Sequence, residues 1–258
     1  VPEPLLRIDT IKKAFGGLMA IVDLSFEVEE GQIKSIIGPN GAGKTTLFNL
    51  ITGVHSLSGG RIIFQGKVIN GLGPHIIASL GISRTFQTVE LFGNMTALEN
   101  VMVGRHPRTR SGLVSVGLRL PAMRKEESRI QEESLKIMEL GGLLSKARHP
   151  STSLPLGEQK TLEVLRALAT QPRLILLDEP AAGLNEAETQ KMSDLIYAIR
   201  DRGVTVLLVE HDMSLVMKVS DEIVAINFGQ KIAEGPPTVI QNDPRVIEAY
   251  LGGEINYA

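Results

Sequence analysis

The chain has 258 residues, with 27 Lys and Arg against 29 Asp and Glu, a formal net charge of -2, and neither Cys nor Trp. That length supports a substantial core without staples, and the missing Cys excludes a disulfide scaffold and a thiolate zinc site. Near-neutral charge and only 4% aromatics argue against a nucleic-acid partner, which needs a basic face or base-stacking rings.

The first residues, Val1-Pro2-Glu3-Pro4, lack the basic region and apolar core of a signal peptide. Strands are expected near Leu5–Ile11, Leu24–Val28, Ile33–Ile37 and Ile62–Phe64. Further strands are expected near Leu174–Leu177, Val204–Val209 and Ile223–Asn227. Short apolar runs alternating with helical patterns read as an α/β fold. Ile33–Ile37, Leu174–Leu177 and Val204–Val209 are almost wholly apolar, as central parallel strands covered on both faces must be. These runs are far shorter than the roughly 20 residues that span a bilayer, so a membrane role would be peripheral.

From about Val89 to Thr152 no central strand is apparent. Helical periodicity runs from Met123 to Leu140, with Ile130, Leu135, Ile137, Met138 and Leu140 as inward positions. A helical subdomain inserted into an α/β core accounts for this. Between Asn100 and Lys125 there is no acid, but there are Arg105, Arg108, Arg110, Arg119 and Arg124. The stretch reads as a solvated loop or as a contact with lipid headgroups or a membrane partner. Gly235-Pro236-Pro237 breaks the chain before a short helix over Pro244–Leu251.

Gly38-Pro39-Asn40-Gly41-Ala42-Gly43-Lys44-Thr45 matches G-x-x-x-x-G-K-[ST], after an apolar strand and before a helix over Thr45–Ile51. Glycines let backbone N–H groups turn inward around phosphate oxygens. The helix start adds a favourable dipole, Lys44 a compact charge for the β- and γ-phosphates, and Thr45 a hydroxyl for Mg²⁺. Leu174–Leu177 ends in Asp178-Glu179, at the sheet edge where α/β proteins bind ligands. Asp178 suits a Mg²⁺ contact, and Glu179, one step on, suits the general base that activates water. Val204–Val209 ends likewise in Glu210-His211, which puts His211 at the same edge as a γ-phosphate sensor. His55, His75, His106 and His149 lie in polar stretches and are expected at the surface.

Three more segments follow in order: Arg84-Thr85-Phe86-Gln87, Ser153-Leu154-Pro155-Leu156-Gly157-Glu158-Gln159 before a helix to about Thr170, and Ala181-Ala182-Gly183-Leu184-Asn185. With the preceding motifs they make the chain resemble, over essentially its whole length, the nucleotide-binding subunit of ABC transporters. The resemblance implies a P-loop NTPase (RecA-like) core with an antiparallel β subdomain and an inserted α-helical subdomain. Residues 1–88 and 158–258 would form the core, and residues 89–157 the insert with the signature at its end. It implies ATP and Mg²⁺ as ligands. Nucleotide contacts would come from Gly38 to Thr45, Thr46 and, by an aromatic stack on adenine, Phe15, with Leu154, Gly157 and Glu158 of the signature serving the partner's ATP. Metal contacts would come from Thr45, Gln87 and Asp178; Glu179, His211, Gln87 and Lys44 would be catalytic. Gly183-Leu184-Asn185 would cross to the partner.

The signature is usually L-S-x-G-[QE], and Pro155 replaces its Ser. Proline brings neither hydroxyl nor N–H, so the composite site completed by this segment is expected to be weakened. In this family two chains sandwich two nucleotides, because no chain supplies the signature to its own ATP.

Phe15-Gly16-Gly17-Leu18-Met19-Ala20, Gly81 to Gln87 and Asp178 to Asn185 are similar to LivG-type subunits of branched-chain amino acid importers. That similarity implies a second ATPase subunit in a heterodimer, two transmembrane permease subunits and, indirectly, a substrate-binding protein, at the cytoplasmic face of the inner membrane. Importers of urea or amides and exporters of lipopolysaccharide or other lipids share many of these residues. Soluble ABC ATPases usually carry two ATPase domains or a long coiled coil, neither of which is seen here.

Overall fold

The computed structural model of the chain describes residues 3–105 and 121–251. One curved sheet carries ten strands in the order β5-β4-β1-β2-β10-β9-β3-β8-β7-β6. Strands β1 (Leu6–Phe15), β2 (Leu18–Val28), β4 (Gly59–Phe64) and β5 (Lys67–Val68) form its antiparallel wing. Strands β3 (Ile33–Ile37), β6 (Ile82–Arg84), β7 (Leu174–Asp178), β8 (Thr205–Val209) and β9 (Glu222–Asn227) run parallel, and β10 (Gln230–Gly235) returns antiparallel to β9 and joins β2.

Every residue of β3, β7 and β8 is buried, as parallel strands covered on both faces require, and the polar ones have partners: Lys34 of β3 pairs with Glu222 and Glu234. Because successive side chains point to opposite faces, each strand feeds two cores. Leu174, Leu176, Leu207 and Val209 meet α1 (Lys44–Ile51) through Leu47 and Phe48. Ile175, Leu177, Val206 and Leu208 pack with residues of α5 (Leu156–Ala169), such as Leu165, and α6 (Glu186–Arg200), such as Ile196. A third, smaller core gathers Ile37, Val216 and Ile223 with Ile240 and Val246 of the C-terminal helices α8 (Pro237–Ile240) and α9 (Pro244–Leu251).

No ladder strand falls between Arg84 and Leu174 among the described residues. That stretch holds α3 (Ala97–Val103), α4 (Pro121–Leu140) and α5, linked by two 3₁₀ turns at Leu144–Lys146 and Ser151–Ser153. On α4, Met138 is fully buried, Leu135, Ile137 and Leu140 are half-buried against the second core, and Ile130 is half-buried. The remaining helices are α2 (Pro74–Leu80) and α7 (Met213–Val219). No helix among the described residues is long and apolar enough to cross a membrane.

The structure corrects the expectation for Arg105. Arg105 is neither a solvated loop residue nor a lipid contact: it is 8% exposed, pairs with Glu133 of α4 and donates to the carbonyl of Ala169 at 3.3 Å. Arg108, Arg110 and Arg119 lie outside the described residues, as does the side chain of Arg124. Strands β5, β6 and β10 were not expected. β6 is three residues long and ends in Ser83 and Arg84, so no apolar run marks it, and β10 is polar at three of its six positions.

Candidate nucleotide and catalytic site

Gly38 leaves β3, and α1 begins five residues later on Gly43 as its N-cap. Gly43 has φ +107°, and a Cβ there would stand 2.8 Å from Ile21 Cδ1 and 2.9 Å from the Ala20 carbonyl, so only glycine fits. The Ala42 carbonyl accepts the Gly229 N–H at 3.0 Å, which ties the loop to the β9–β10 turn. The cap supplies no side-chain hydrogen bond, so the first N–H groups of α1 remain for an anion. Thr45 is exposed and Thr46 half-buried on that first turn.

Lys44 is 8% exposed, and its Nζ donates to the carbonyls of Gly38 at 2.6 Å and Pro39 at 2.9 Å. Burial pushes its pKa down, while the carboxylates of Glu179 and then Asp178 oppose that. The ammonium therefore lies folded on the loop, charged by its neighbours and available to exchange carbonyl partners for phosphate oxygens.

Asp178 ends β7 and is 2% exposed. Arg84 Nη2 donates to its Oδ2 at 2.8 Å, and Arg84 Nη1 donates to Asn49 Oδ1 of α1 at 2.6 Å. The guanidinium lies 5.4 Å from the centroids of both Phe48 and Phe86. Burial raises the pKa of Asp178, and the hydrogen bond and charge of Arg84 oppose it. Arg84 thus fixes the carboxylate against the helix that carries the phosphate loop.

Glu179 follows with φ +49°, left-handed for a residue with a Cβ. Gln87 Nε2 donates to Glu179 Oε2 at 3.1 Å, and His211 Nδ1 stands 3.7 Å from the same oxygen. Three residues expected from separate motifs therefore meet at one carboxylate. Behind them Glu210 is fully buried and accepts the N–H groups of Ala181 at 2.7 Å and His211 at 3.0 Å. Burial raises the pKa of Glu210, and those backbone donors, Ala181 first, hold it down.

Phe15 ends β1, 42% exposed, with its ring edge-on to His55 at 5.2 Å and Lys13 Nζ 4.7 Å from its centroid. His55, expected at the surface, is instead half-buried against this ring. His75 and His149 are exposed, and His106 lies outside the described residues.

The ABC transporter family pattern matches residues 21–182, and that of branched-chain amino acid ATP-binding cassette transporters matches residues 230–255. The chain belongs to the ABC transporter family. It is 44% identical over 251 residues to the high-affinity branched-chain amino acid transport ATP-binding protein LivG of Salmonella typhimurium, covering 97% of this chain and 98% of that one. It is 45% identical over 251 residues to the corresponding protein BraF of Pseudomonas aeruginosa, with the same coverage. Among solved structures, an ATP-binding cassette of an ABC transporter in its ADP conformation superposes with a TM-score of 0.85 at 34% identity, covering 97% of this chain and all of that one.

The segment expected to act as the signature, Leu154–Glu158, lies at the start of α5. Pro155 is the N-cap and makes no side-chain cap. Leu154 and Gly157 are buried and Glu158 is half-buried. A Cβ on Gly157 would stand 2.6 Å from Glu188 Oε1, so α6 packs where a larger residue would sit. Among the described residues no hydrogen bond or ion pair joins Leu154–Glu158 to Gly38–Thr45 or to Asp178. Within one chain these two segments do not meet.

Sequence reasoning assigned no role to Arg84, Lys160 or Glu210. The signals were present: Lys160 and Glu163 sit at i and i+3 among buried apolar positions of α5, and Glu210 directly follows a wholly buried strand. Charges placed so need partners.

Proposed function

We propose that this chain is the ATP-hydrolysing subunit of an importer of branched-chain and neutral amino acids. The observation that carries the reading is the meeting of Gln87 and His211 at the Glu179 carboxylate, beside a preformed phosphate loop. Full-length similarity to LivG and BraF supplies the substrate class. The working unit is a sandwich of this chain with a second ABC ATPase subunit, held by two transmembrane permease subunits and served indirectly by a substrate-binding protein. It sits on the cytoplasmic face of the inner membrane, bound peripherally.

ATP phosphates occupy the loop from Gly38 to Thr45 with Thr46, against the N–H groups of α1, with Lys44 on the β- and γ-phosphates. Phe15 stacks on adenine. Glu179 takes the proton of the attacking water, oriented by Gln87 and His211. The Thr45 hydroxyl, the Gln87 amide oxygen and Asp178 are hard oxygen donors, which fit Mg²⁺. Among the described residues no three His, Asp or Glu cluster as a self-sufficient metal cage, which suits an ion shared with phosphates. Bound Mg²⁺ neutralises charge on the phosphate oxygens.

Residues 1–88 and 158–258 act as the core and residues 89–157 as the insert, which passes the closing movement to the permease through the Gln87 hinge. Leu154, Gly157 and Glu158 complete the partner's ATP site. The test is uptake of labelled leucine by cells lacking the subunit, complemented with wild type or Lys44→Ala. Rescue by wild type alone is expected. Normal leucine uptake without the subunit, in cells with no other leucine carrier, overturns the substrate class and leaves the ATP-binding family membership intact.

A further inference from the structure

We propose that Lys160 of the signature helix is a positioning residue for Glu179, coupling the ATP that this chain's signature touches on its partner to hydrolysis at this chain's own site. The inference rests on the ATPase reading above.

Glu179 cannot hold its shape unaided. A left-handed residue with a Cβ is strained and persists only when its surroundings over-determine it. Three hydrogen bonds do so here. Its N–H donates to Val209 at 2.9 Å, and its carbonyl accepts from the Ala182 N–H at 3.2 Å and from Lys160 Nζ at 2.8 Å. The first two come from the flanking strand and turn. The third comes from α5, more than a dozen residues away in the chain, and is the one side-chain bond among them.

Packing alone does not explain a lysine there. Lys160 is 7% exposed, and burial pushes its pKa down, against the charges of Glu210, then Glu163 and Glu179. An apolar side chain of similar length would fill the space without that desolvation cost. What it would lack is a donor for the Glu179 carbonyl. Glu210 holds the other flank, through the N–H groups of Ala181 and His211. The segment bearing the general base is therefore gripped between α5 and the His211 loop.

Position along α5 supplies the coupling. Lys160 lies three residues beyond Gly157, so only about 4.5 Å of helix rise separates the turn that meets the partner's γ-phosphate from the Glu179 contact. The signature N-terminus shifts when it closes on that phosphate. A rigid helix carries the shift to Lys160, and Lys160 moves or releases the carbonyl of Glu179. Arg at this place retains a donor of similar reach; Met retains the volume and loses the donor.

Lys160→Met and Lys160→Arg are to be compared with wild type in the assembled transporter, with steady-state ATPase kinetics and thermal melting. The expected result is a kcat reduced roughly ten- to a hundredfold in Lys160→Met, KM for ATP within twofold, an unchanged melting temperature, and recovery of most of the rate in Lys160→Arg. A wild-type rate in Lys160→Met overturns the proposal. So does a parallel loss of kcat, ATP affinity and melting temperature that Arg does not rescue, which marks a purely structural lysine. If Lys160→Met does not fold, Lys160→Gln keeps a donor of shorter reach, and full activity there with loss in Lys160→Arg also overturns it. The absolute wild-type rate tests the ATPase reading, whereas the ratios between variants test Lys160.

Discussion

Helix α1 begins on Gly43 and helix α5 on Pro155, and neither cap offers a side chain to the helix N–H groups. Helices α3, α6 and α7 are capped, by Thr96 with Glu99, Asn185 with Glu188, and Asp212. Helices α2 and α8 also start without a side-chain cap, each with a proline in its first turn; of the uncapped starts, those of α1 and α5 are the ones expected to face phosphate. What stands behind them differs. Behind α1 are Lys44, Asp178 held by Arg84, and Glu179 met by Gln87 and His211. At the start of α5 stand Glu158, in reach of Lys146 at 3.6 Å, and Glu188, whose carboxylate packs against Gly157. One end gathers charged and polar side chains around a single carboxylate, whereas the other, under the proposed function, serves another chain's nucleotide.

The largest expected effect tests the α1 end. Glu179→Gln should lower ATP turnover by about 100- to 10,000-fold, the range for loss of a general base, while nucleotide binding persists. Phosphate release and gel filtration should show slow turnover and an ATP-dependent dimer. Wild-type turnover would remove Glu179 from the catalytic role.

Arg84→Leu asks how much the α1 end depends on paired burial. Asp178 is 2% exposed, and Arg84 supplies its charge partner. Breaking a buried pair by removing one partner costs about 3–5 kcal/mol, which should lower the urea midpoint of the isolated chain with little change in slope. An unmoved midpoint would mean that Asp178 is compensated by other groups.

How much of this was legible depended on period and spacing. β3, β7 and β8 were readable because short, mostly apolar runs rich in Ile, Leu and Val fit covered strands. Gly38–Thr45, Asp178, Glu179 and His211 were singled out because their motifs lie where an expected strand ends, and Gln87 from the resemblance alone; the structure brings Glu179, Gln87 and His211 together, and their roles stay proposals. β6 and the grip of Lys160 were not legible, since both arise from tertiary pairing: Ile82–Arg84 is a strand only beside Leu174–Leu176, and Lys160 is a clamp only because α5 lies across Glu179. Arg105 misled for the same reason, being a loop cation by composition and a buried partner of Glu133 by packing.

A capped helix provides a scale for the uncapped ones. Asp212 accepts the N–H groups of Ser214 at 2.9 Å and Leu215 at 3.3 Å, and Asp212→Ala should cost about 1 kcal/mol. The hydrogen bond from the Ser214 side chain is the main cause holding the Asp212 pKa below its ordinary 3.8. That contribution is full above the unfolded value and is lost as pH falls through the lower folded one. Denaturation of wild type and Asp212→Ala should therefore differ at pH 7 and converge under strong acid. An equal gap at both pH values would mean that the cap acts without its charge.

The smallest effect probes the α5 end. Pro155→Ser restores the residue usual in the signature, and it acts on stability in two opposing ways. A serine cap stabilises a helix by about 0.5–2 kcal/mol, while losing a compatible proline frees the unfolded chain at a cost of about 0.4–1 kcal/mol. Stability should hardly change, so a change in rate reports on phosphate. With the hydroxyl present, the composite site completed by this segment should hydrolyse ATP roughly two- to fivefold faster, under about 1 kcal/mol in barrier. The measurement is the ATPase rate of the assembled complex in which only this chain is altered. An unchanged rate would show that the free N–H groups at the start of α5 already satisfy the partner's phosphate, and that the proline is the cheaper way to leave them free.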